Sequence, residues 1–144
     1  MTSELSPDDL EGLVCAANSP LWEERVAAGR QLARLAGDPE VDVILSRLLL
    51  DPQDTAVTYE TGCAVLQRGD LHSLRLVLHA LGAADADHAD ELTGVILEVW
   101  GESHQVWTQG WERCAVLATD SDEAVQIGAN EVLCWQPSSK KRPT

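Results

Sequence analysis

"ERVAAGRQLARLAGD", residues Glu24 to Asp38, spaces its apolar side chains at helical intervals yet carries a glycine at its centre. Glycine inside a helix costs roughly 1 kcal/mol relative to alanine, and two alanines immediately precede Gly29. The residue therefore asks for a reason outside its own helix. The rest of the chain supplies one. Glycines recur at Gly29, Gly62, Gly94 and Gly128, spaced 33, 32 and 34 residues apart. A second series, Gly37, Gly69 and Gly101, each 32 apart, closes the same segments, and Pro137 ends the last. Leu32, Val65 and Leu97 follow the first three internal glycines by three residues; the fourth copy has Glu131 there, with Val132 and Leu133 supplying the apolar side chains. A period of this length marks a repeat architecture.

Each period divides into two helix-sized pieces. Ser6-Pro7 and Ser19-Pro20 each offer a capping oxygen followed by proline at the first helical position, and Asp38-Pro39-Glu40 repeats the arrangement. Asp54 precedes Thr55, Asp120 to Glu123 has capping-box spacing, and Asp87 is placed to cap the helix that follows it. Between these marks Ile44, Leu48 and Leu45, Leu49, then Leu71, Leu74, Val77, Leu78 and Leu81, fall at helical intervals, and no segment alternates with period two. The spacing predicts eight helices in four antiparallel pairs: 7–18 with 20–36, 39–50 with 55–68, 71–82 with 88–100, and 104–119 with 122–135. In such a stack each second helix packs against the second helices of its neighbours, and a glycine there lets two backbones approach.

The run from Glu23 to Leu35, followed by Gly37-Asp38-Pro39, resembles HEAT repeats, especially the short bacterial kind. A second copy runs from Asp51-Pro52-Gln53-Asp54 through Val57, Ala64 and Leu66 to Gly69-Asp70. In the weaker third and fourth copies Asp90 and Ala124 replace the family's arginine, and Gly101-Glu102 and Gln136-Pro137 replace its Gly-Asp turn. The resemblance covers about residues 7–136 and implies an all-α, right-handed α-α superhelix of about four helix pairs, with residues 1–137 as a single domain. It also implies that the second helices line an extended concave face suited to gripping partners. It does not name the partner.

Composition narrows the classes of function. At 144 residues and 44% hydrophobic content the chain is long enough to bury a core. No run of about 18 apolar residues is present to span a membrane, and Met1 to Pro7 shows neither a basic start nor an apolar stretch, so a cytoplasmic protein without membrane association is expected. Cys15, Cys63, Cys114 and Cys134 stand far apart without C-x-x-C spacing and are expected to be buried, reduced thiols. The segment Ser138 to Thr144 holds both lysines and is expected to be a disordered basic tail. Its three positive charges, taken from a net −14, leave −17 for residues 1–137. An acidic groove repels phosphate, which argues against nucleic acid as a partner and against the DNA glycosylases that use a HEAT-like scaffold. Nothing distinguishes the chain as one of the HEAT-like bilin lyases, the other enzymatic alternative.

No catalytic, metal or cofactor site is expected. His72 and His79 are seven residues apart, too far along one helix to share an ion at bond lengths near 2 Å. The acidic stretch Ala84 to Glu91, with His88 inside it, departs from the EF-hand pattern and reads as a solvated loop rich in helix caps. Nucleophile-elbow, phosphate-loop and H-E-x-x-H patterns do not occur. Five tryptophans stand against one tyrosine and no phenylalanine. Trp107 and Trp111 share a helix face and serve either as core or as a binding patch, while Trp22 lies in a turn and is expected to be exposed. The residues expected to meet a partner project from the second helices as one stripe: Tyr59 as the apolar anchor, with Glu60, Asp90, Glu91 and Glu98 around it. The Trp107/Trp111 face is the next candidate. The function expected is a non-enzymatic adaptor or inhibitor that docks a basic protein, with an immunity protein neutralising a toxin as one concrete form. The sequence leaves the oligomeric state open.

Overall fold

The computed structural model describes residues 6–135; Pro137 and the tail expected over 138–144 lie outside them. All eight elements among the described residues are α-helices and none is a strand: α1 (Pro7–Ala17), α2 (Trp22–Ala33), α3 (Pro39–Leu49), α4 (Thr55–Leu66), α5 (Leu71–Ala83), α6 (Ala86–Trp100), α7 (His104–Leu117) and α8 (Glu123–Leu133). Side-chain caps fix most of the starts. Ser6, Asp38, Asp54, Asp70, Ser103 and Asp122 each accept a hydrogen bond from a backbone N–H in the first turn that follows.

Two starts differ from the sequence expectation. Ser19 Oγ accepts from the Leu21 N–H at 3.1 Å, so the side chain organises the turn, and α2 begins later at Trp22 with no side-chain cap. Asp85, not Asp87, caps α6: its carboxylate accepts from the His88 N–H at 2.9 Å, which starts the helix at Ala86 and leaves Asp87 in the first turn. Of the turn glycines, Gly37 (φ 112°) and Gly69 (φ 78°) occupy the left-handed region that favours glycine, whereas Gly101 ends α6 in right-handed backbone (φ −69°).

The second helices α2, α4 and α6 pack side by side in one row, and each helix of the first three pairs also packs on its own partner. The glycines explain how closely the row is drawn together. A Cβ on Gly29 would overlap the Oγ1 of Thr61 in α4, and one on Gly62 would stand 3.0 Å from the Cγ2 of Val95 in α6. Both glycines are buried at helix–helix crossings where alanine does not fit unaltered.

The fourth pair departs from this row. Instead of following α6, α8 lies along α5. The two backbones touch: a Cβ on Gly128 would overlap the Leu78 carbonyl, and one on Gly82 would overlap the Ala124 carbonyl. Arg75 on α5 holds Asp120, in the turn before α8, through two hydrogen bonds of 3.0 and 2.9 Å, and this guanidinium keeps the Asp120 carboxyl down at about 2.

The core runs through the whole stack. Leu32, Leu45, Leu48, Leu49, Leu78, Leu92 and Ile96 are fully buried, each such side chain contributing about 1.5–3 kcal/mol relative to exposure. A buried ion pair ties the first two repeats together: Arg25 on α2 donates from Nε and Nη2 to both carboxylate oxygens of Asp51 at 2.9 Å, and from Nη1 to the Ser19 carbonyl. The cysteines correct one expectation. All four are free thiols, but only Cys114 is buried; Cys63 is half-buried, and Cys15, on α1, and Cys134, in the turn that ends α8, are exposed.

Candidate functional site

The stripe expected from the sequence is carried by α4 and α6. Tyr59 and Glu60 stand in the second turn of α4, half-buried, and the ring of Tyr59 reaches toward α6, where its Cε1 lies 3.9 Å from the position of a Cβ on Gly94. A Cβ at 94 would meet the ring at ordinary van der Waals distance. Burial first, then the neighbouring Cys63, Glu98 and Glu60, raise the pKa of the Tyr59 phenol above its ordinary value. Glu60 and Glu98 thus both act on the one phenol from neighbouring helices. Burial likewise pushes the Cys63 thiol up, opposed by the phenol beside it, so this cysteine is a poor nucleophile.

Charge in the stripe is only partly compensated. Glu60 Oε1 accepts from Arg30 Nη2 of α2 at 2.8 Å, an exposed pair of the kind worth little to stability. Asp90 and Glu98 are exposed on α6, Glu91 is half-buried, and α6 contains no lysine or arginine. Tyr59 and Glu60 thus stand on α4 facing a row that continues on α6 with Glu98, and Asp90 and Glu91 lie one turn before Gly94 on that same helix.

Trp107 and Trp111 do not join this stripe. They lie on α7, half-buried, packed in series against the buried Trp100: the Trp100 and Trp107 rings meet edge to face at 5.6 Å, and Trp107 and Trp111 stack at 6.4 Å. A Cβ on Gly110 would overlap the Trp100 ring, so α7 is shaped around that side chain. This geometry gives the tryptophans a packing duty. Trp22 is exposed, as its turn position suggested.

The acidic stretch before α6 holds a feature that its composition did not reveal. His88 is wedged between α6 and the turn after α3, with its Nε2 2.6 Å from the Asp51 carbonyl oxygen and its Nδ1 2.7 Å from the Asp85 carboxylate. Both partners are acceptors, so the doubly protonated imidazolium satisfies both contacts. The Asp51 carbonyl raises the pKa of His88 most, with further support from Asp85 and Asp87 against the cost of burial. The signal in the sequence was the Asp-x-x-His spacing; its partner at Asp51 lies 37 residues away and was not legible. Among the described residues no three His, Cys, Asp or Glu side chains converge in a way that could hold a metal ion, and no helix is long and apolar enough to cross a membrane. Compared with known proteins, the chain matches no family model, no curated protein and no solved structure.

Proposed function

We propose that this chain is a HEAT-like, right-handed superhelical module that acts in the cytoplasm as a non-enzymatic adaptor or inhibitor, docking a basic protein on its second-helix row. Supporting the family reading are the glycine period and the order α2, α4, α6 in which the second helices pack. One observation carries the functional reading: the ring of Tyr59 on α4 lies against Gly94 of α6, on helices that also carry Glu60, Asp90, Glu91 and Glu98, an aromatic anchor on an acidic row. Aromatic side chains of this kind dominate binding energy, while the charges around them steer approach and set specificity. A net charge of −14 extends the same field over the molecule and opposes nucleic acid as the ligand. An immunity protein that neutralises a basic toxin is the most concrete form of this reading.

In-cell photo-crosslinking tests it. A benzophenone amino acid at Tyr59 is expected to capture a protein of basic isoelectric point, and Glu60→Lys with Glu98→Lys to abolish the adduct. The same photo-probe at Val43, 69% exposed on α3, is expected to give no such adduct. Identical adducts from both positions, or adducts with acidic proteins only, contradict the proposal.

A further inference from the structure

Among the described residues the row of second helices stops at α6, on which no further second helix packs. Three equivalent positions report this in each helix: four residues before the internal glycine, the glycine itself, and three residues after it. In α2 these are Arg25, Gly29 and Leu32, all buried, with Leu32 0% exposed. In α4 they are Thr58, Gly62 and Val65, again all buried, with Val65 0% exposed. In α6 they are Asp90, Gly94 and Leu97; Asp90 is exposed, Gly94 is only half-buried, and Leu97 is 49% exposed. Gly29 receives Thr61 from the next helix and Gly62 receives Val95, but among the described residues only the Tyr59 ring of the preceding α4, at 3.9 Å, comes within 4 Å of a Cβ at Gly94. The helix that the repeat would place there, α8, is held on α5 instead.

From this we infer that the outer face of α6, centred on Gly94 and Leu97, is a docking groove for an amphipathic basic helix of the partner protein. The inference rests on the proposed reading as a module for a basic protein. Two observations select this occupant. Continuity with the α2–α4–α6 row supplies the shape: a helix presenting a threonine- or valine-sized side chain opposite the glycine, as Thr61 and Val95 do opposite Gly29 and Gly62. Charge supplies the sign: Asp90, Glu91 and Glu98 flank the groove and α6 has no lysine or arginine to offset them. A second copy of α6 in the same groove would set these carboxylates against each other.

A designed peptide tests the groove on the full chain. The peptide has the 15-residue length of α6, a central valine, leucines one turn to either side and lysines on the flanks; a control has the same composition with the apolar stripe broken. Isothermal titration is expected to show saturable binding of the striped peptide only. Gly94→Leu, which fills the notch, and Leu97→Lys are each expected to weaken it about tenfold or more, with Val43→Ser as a neutral control and circular dichroism to check folding. Absence of binding, or binding that survives both groove substitutions, overturns the inference. Equal binding of both peptides, lost on charge reversal of Glu60 and Glu98, also overturns the groove while leaving the acidic docking module intact. Self-association of the full chain that Gly94→Leu abolishes would assign the groove to a second copy and overturn the basic-helix occupant.

Discussion

At the scale of single residues, two polar contacts carry consequences that can be measured. Asp51 serves four groups at once: its carboxylate binds the buried Arg25 guanidinium and accepts from the Gln53 and Asp54 N–H groups, while its carbonyl meets His88. Removing one member of such a buried pair strands the other, at a cost of about 3–5 kcal/mol. Asp51→Ala is therefore expected to lower the free energy of chemical unfolding by that order, and a loss under about 1 kcal/mol would place the ion pair outside the stable core. His88 sets a pH dependence. Its pKa in the folded chain is raised above 6.5, so its contribution is complete below the unfolded value and disappears as pH rises through the folded one. Wild-type stability is expected to decline across that interval, and His88→Gln to remove this part of the slope; parallel pH profiles for the two proteins would contradict the assignment. Asp85, whose pKa is lowered chiefly by the His88 backbone N–H and ring, works in the opposite direction, its contribution being lost as pH falls below the ordinary carboxylate range.

The elements show what the amino-acid pattern specified and what it left undecided. Caps such as Ser6, Asp38 and Asp54 and apolar spacing such as Leu45/Leu49 are local signals, and they placed all eight helices within a few residues of their observed ends. Ser19 misled because a serine oxygen bonds a turn N–H as readily as a helical one. The destination of α8 was not legible. A glycine at 128 permits close approach to any neighbour, and the approach to α5 also needs Gly82, which lies outside the 33-residue series and leaves room for the Ala124 carbonyl. Tyr59 and Glu98 could be set on one stripe from the repeat length alone, whereas the vacancy beside Leu97 follows only from where α8 goes. The α5–α8 contact is backbone on backbone, so Gly82→Ala and Gly128→Ala are each expected to destabilise by about 2 kcal/mol or more, since a rigid carbonyl cannot move aside as a side chain can. Thermal unfolding unchanged in both variants would contradict this packing.

For the whole molecule, the acidic surface and the open row describe how a partner would approach and where it would settle. Exposed charges are screened over about 8 Å at physiological ionic strength, so association with a basic partner is expected to slow steeply as salt is added. A Glu60→Lys/Glu91→Lys double variant is expected to bind more slowly while folding normally, and unchanged association kinetics would move the interface elsewhere. The central claim is that α2, α4 and α6 are drawn together at glycines and that the row then ends with an open face. Equilibrium unfolding of Gly29→Ala beside Gly94→Ala tests it most directly and needs no partner. Gly29→Ala, which meets Thr61, is expected to lose about 1–3 kcal/mol; Gly94→Ala, whose Cβ finds only the Tyr59 ring at 3.9 Å, is expected to gain about 0.4–1 kcal/mol. Equal destabilisation of both would mean that the face of α6 is already filled, and a stabilised Gly29→Ala would mean that the helices are not packed at their glycines.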